Sequence, residues 1–103
     1  MSSSAIQYFN FNGNAGGTFG GSVGTSEAQV AAQPCRVAMI KTDPANSDDV
    51  FFGKTGVTAD FTPTGGFPLD AGQESPWIPV KNTNELFVIG GAASQNYSVI
   101  YLQ

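Results

Sequence analysis

The apolar residues of this chain fall into short runs, and no stretch long enough for a helix keeps the period of about 3.6 residues that a buried helical face requires. Gly, Pro, Asn and Asp separate the runs. Short runs recurring with turn chemistry between them predict an antiparallel sandwich or barrel. The segment 34–41 is nearly apolar on both faces, as a strand inside a sandwich would be. Val50-Phe51-Phe52-Gly53 supplies the next strand, 57–61 a weaker one, 85–89 a strong one and 97–102 the last. In 75–80, Pro76 and Pro79 lack the N–H that a ladder needs, which predicts an edge position or a bulge. The segment 26–33 reads either as a helical turn or as a strand.

Composition agrees with that class. There are 13 Gly, 6 Pro and 8 Phe against a charged fraction of 12 %, whereas a helical bundle needs more Lys, Glu, Leu and Arg on its faces. The 103 residues suit one domain. A shift in composition near Glu27 divides the chain into a glycine-rich arm, 1–27, and a sandwich, 28–103. The expected fold is therefore all-β: a single antiparallel β-sandwich, jelly-roll-like or Ig-like, with an extended N-terminal arm. Gly, Ser, Asn and Thr dominate the arm, a mixture that loses too much chain entropy to fold alone. It also contains Ile6, Tyr8, Phe9, Phe11 and Phe19, which a spacer does not need. Tyr8, Asn10 and Asn12 alternate with Phe9 and Phe11 in the period of a strand. The arm reads either as a tail with incidental aromatics or as a segment ordered against a neighbouring subunit. Aromatics are common interface anchors, so these five residues are the expected partner-binding set.

Charge narrows the partners. The net charge is −4, with only Arg36, Lys41, Lys54 and Lys81 positive, so nucleic acid and anionic membrane surfaces are not expected. The start of the sequence has neither the basic nor the apolar part of a secretory signal, and no run approaches the roughly 20 apolar residues of a membrane helix. Synthesis in a cytoplasm is the expectation.

Catalysis is not expected either. There is no histidine, which removes the Ser/His and Cys/His arrangements. Cys35 is the only cysteine and reads as a small, protonated core residue. Gly53-Lys54-Thr55 resembles the end of a phosphate loop, but Asp48 stands where the motif needs glycine and no helix pattern follows. Asp43, Asn46, Asp48 and Asp49 have the wrong spacing for a calcium loop and read as turn formers. Asp48, Asp49, Asp60 and Glu74 offer carboxylates for glycoside hydrolysis, as any acidic β protein does. No cofactor and no metal is expected. Trp77 could stack on a sugar, although the apolar residues around it favour a packed ring.

The second half also carries an ordered pattern: Val50-Phe51-Phe52-Gly53, Gly56-Val57-Thr58, Gly66-Phe67-Pro68-Leu69-Asp70-Ala71-Gly72-Gln73, then Val80-Lys81-Asn82-Thr83-Asn84-Glu85-Leu86-Phe87-Val88-Ile89-Gly90. Over about residues 35–102 this resembles the small β-sandwich virion proteins of tailed bacteriophages and cyanophages. The resemblance implies a capsid decoration or cement protein on the outer surface of a virion, bound to the major capsid protein and to copies of itself. The long arm departs from the bare module. A glycan- or host-binding module on a spike or tail fibre is the alternative expectation.

Overall fold

The computed structural model describes residues 16–103, and the arm residues Ile6, Tyr8, Phe9 and Phe11 lie outside them. Among the described residues, eight strands form two four-stranded antiparallel sheets packed as a sandwich. The strands are β1 (Gly16–Val23), β2 (Ala28–Gln29), β3 (Val37–Thr42), β4 (Val50–Gly53), β5 (Phe67–Leu69), β6 (Ile78–Pro79), β7 (Phe87–Gly90) and β8 (Gln95–Leu102). One sheet has the order β1-β8-β3-β6 and the other β2-β7-β4-β5. The core between them includes Val30, Ile40, Val50, Leu69, Val88 and Val99, none more than 1 % exposed. Burying an aliphatic side chain of this size contributes about 1.5–3 kcal/mol.

The largest difference from expectation is β1. Composition assigns Gly16–Val23 to the arm, yet it pairs along its whole length with β8, from Gly16 against Leu102 to Val23 against Gln95. Side-chain size explains the pairing. The inward residues Tyr97, Val99 and Tyr101 of β8 face Gly21, Phe19 and Gly17 of β1 on one side, and Thr42, Ile40 and Ala38 of β3 on the other. A Cβ on Gly21 would lie 2.6 Å from the Tyr97 ring, and one on Gly17 would lie 2.6 Å from the Tyr101 hydroxyl. Each tyrosine therefore fits because its β1 neighbour has no side chain. Glycine weakens a strand by roughly 0.5–1 kcal/mol relative to alanine, and seating two rings offsets that. Phe19, expected as an arm anchor, is half-buried against the chain's own core, its ring centroid 6.2 Å from that of Tyr101.

Three other expectations change. The segment 26–33 holds strand β2, not a helical turn. The segment 57–61 is not a strand but part of a loop, whose one ladder contact is an isolated bridge between Thr58 and Gly65. Cys35 precedes β3 and is half-buried, not central. The proline-bearing segment does lie at an edge: β6 is the last strand of its sheet. The turn before β7 is a short 3-10 helix, Thr83–Glu85, closed by reciprocal bonds. Asn82 Oδ1 accepts from Asn84 N at 3.0 Å, and Glu85 Oε2 accepts from Asn82 N at 3.0 Å, the capping-box arrangement.

Candidate interaction surface

The loop 54–66 between β4 and β5 folds back over the outer face of its sheet. The turn starts at Gly56, whose φ of 90° suits glycine. The Glu27 carboxylate accepts the Gly56 and Val57 amides at 2.5 and 3.2 Å, tying the loop to the segment between β1 and β2. Val57, 6 % exposed, packs where Gly53 and Gly66 leave space. A Cβ on Gly65 would lie 2.0 Å from the Asp60 carbonyl oxygen, so only glycine lets the loop close.

Asp60 organises the tip. Its Oδ1 accepts the Thr58 hydroxyl at 2.8 Å, the Thr62 hydroxyl at 2.6 Å and the Thr62 amide at 3.1 Å. The Thr64 hydroxyl lies 3.0 Å from that of Thr58. Backbone bonds from Thr58 N to Thr64 O and from Gly66 N to Thr58 O, both 3.0 Å, close the base. Hydrogen bonds from Thr62, then Thr58, hold the Asp60 carboxyl below its ordinary range, because they favour the charged acceptor.

This frame presents Phe61, which is 83 % exposed. One edge of its ring meets Phe51, with centroids 6.0 Å apart and planes at 70°. Phe51 itself is buried although it points to the outer face. At the neighbouring edge strand, Phe67 is 48 % exposed but pairs with the core residue Phe52, ring centroids 5.1 Å apart, so it lies at the rim of the inner face and not beside Phe61. Ile89 and Phe87, half-buried, continue the outer apolar face across β7. An exposed aromatic on a loop already fixed by its own bonds binds a partner without much loss of conformational freedom.

Sequence reasoning missed this surface. The alternation of Val57, Ala59 and Phe61 looked like a strand, while the informative signal was Thr-x-Asp-x-Thr, in which side chains bond nearby backbone and compete with a ladder.

Other candidate groups behave as structural elements. The amides of Gly56 and Val57, at the phosphate-loop-like segment, already bind Glu27. Asp43 accepts from Ala45 N, and Asp48 from Asp49 N, both as turn formers. Burial, followed by a hydrogen bond and repulsion from Asp70, raises the Asp49 carboxyl above its ordinary value. Burial, with Glu85 nearby, raises the Cys35 thiol, which keeps it protonated at neutral pH. No group of three or more metal-ligating side chains comes together among the described residues. Trp77 is half-buried just before β6. No protein-family model, curated protein or solved structure matches the chain.

Proposed function

We propose that this protein is a non-enzymatic structural component of a tailed-phage virion, a decoration or cement protein that bridges capsid subunits on the outer head surface. The observation carrying this reading is Phe61, held almost fully exposed on a loop that Asp60, Glu27 and three close-packed glycines keep in shape. Its setting comes from the sequence resemblance over about residues 35–102. In mechanism, the sandwich is a rigid support, and Phe61 enters an apolar recess of the partner, with the outward apolar side chains of β4 and β7 around it. Contact of standard size buries roughly 1,600 Å², which at about 25 cal/mol per Å² exceeds the association terms only when a few anchors pack well. Purified protein mixed with expanded heads that lack it should co-sediment with them and raise their resistance to heat. Phe61→Ala should abolish co-sedimentation while the circular dichroism spectrum stays the same. Wild-type protein left in the supernatant would refute the reading.

A further inference from the structure

Strand edges differ sharply in this sandwich. Among the described residues, β2 and β6 are two residues long and β5 three, and prolines occupy β5 and β6. Short strands and proline are the usual protection of an edge against pairing with another chain. The fourth edge, β1, has eight residues, no proline and no charge. Among the described residues it is a long, unguarded edge, whereas the other three are guarded.

We propose that β1 is a self-association surface, on which a second copy of the chain adds its own β1 antiparallel to the first. The sequence of β1 is complementary to itself. With Gly20 on the two-fold axis, Phe19 stands across from Gly21, Thr18 across from Ser22, and Gly17 across from Val23, each pair occurring twice. Gly21 sets no side chain of its own against Phe19, and the Tyr97 ring that lies over Gly21 is the aromatic neighbour Phe19 meets there. Thr18 and Ser22 are exposed on the outer face, and opposed hydroxyl residues are favourable cross-strand neighbours. Both copies carry a net charge of −4, yet the seam is uncharged, so they approach there with little local repulsion. A two-fold axis normal to the sheet keeps the inward faces on one side and joins two four-stranded sheets into one continuous sheet. This pairing names one partner of the proposed structural protein, but it is a property of the free chain and is tested without capsids.

The test is sedimentation equilibrium of the full chain across micromolar concentrations. Wild-type protein should dimerise. Thr18→Lys with Ser22→Lys places like charges across the seam without touching the core, and should weaken the dimer about tenfold or more while circular dichroism shows an intact fold. Thr18→Glu with Ser22→Glu should do the same, and an equimolar mixture of the two variants should restore a dimer containing one of each. A full chain that stays monomeric overturns the proposal, including a monomer whose β1 edge amides are protected by its own 1–15 segment. A dimer unaffected by either charge pair, or two variants that fail to pair with one another, also overturns it. Loss of head binding with dimerisation intact refutes the capsid reading alone.

Discussion

Two regions of this chain are rich in glycine, and they use it differently. In β1, Gly17 and Gly21 make room for side chains: the Tyr101 and Tyr97 rings occupy the volume that a Cβ would need. In the loop 54–66, Gly65 makes room for backbone, since an added Cβ would meet the Asp60 carbonyl oxygen at 2.0 Å and the Thr62 carbonyl oxygen at 3.0 Å. The first use builds the interior, and the second shapes an exposed surface. Glycine content by itself distinguishes neither from a spacer. What distinguishes them is the partner: a long strand with alternating tyrosines in one case, a Thr-Asp-Thr cluster in the other.

Substitution at the two sites should separate these roles. The largest effect is expected in the interior. Gly21→Val should destabilise the protein by about 1–3 kcal/mol through overpacking against Tyr97, measured by urea unfolding. Tyr97→Leu in the same chain should recover part of that loss, and additive losses would mean that the two positions do not share one volume. In the loop, Gly65→Ala should cost about 1–2 kcal/mol and disturb the amide resonances of 57–66 while leaving those of β8 in place. If β8 shifts as much as the loop, the two regions are not separable.

Smaller effects are expected at the loop tip. Asp60 has a folded-state pKa below its unfolded value, so its contribution is present above the unfolded value and is lost as pH falls through the folded one. The Thr62 amide should therefore lose protection in acid before the sandwich unfolds, and Asp60→Asn should reproduce that loosening at neutral pH. Simultaneous loss in loop and sandwich would contradict the assignment. Smallest of all, Phe61→Ala should change stability by less than about 0.5 kcal/mol, as expected of a side chain facing solvent. A larger loss would make Phe61 a core residue and remove the basis for a contact surface.

Much of the architecture was legible because local signals agreed with the fold. Val50-Phe51-Phe52-Gly53 became β4, the alternation through Tyr97, Val99 and Tyr101 became β8, and Pro76 and Pro79 pointed to an edge. Glu85, read as the start of a strand, instead closes the 3-10 turn through its capping bonds, and β7 begins only at Phe87. β1 was not legible, because its stability comes from complementarity with Tyr97 and Tyr101, more than seventy positions away. The surface loop was hidden for the opposite reason. Its bonds are local, but Val57, Ala59 and Phe61 mimic a strand's period. Of the expected anchors, Phe19 turned out to face its own core, while Phe61 emerged only once neighbours had been placed around it.

The account depends on both glycine-rich regions being ordered parts of one folded unit, and amide hydrogen exchange of the full chain at neutral pH tests that most directly. Alternate β1 amides, together with Thr58 and Gly66, should exchange far more slowly than an unstructured peptide, and Gly17 and Gly21 should tighten or loosen with β8. Exchange of β1 and of the loop at unstructured rates, with β8 still protected, would contradict it.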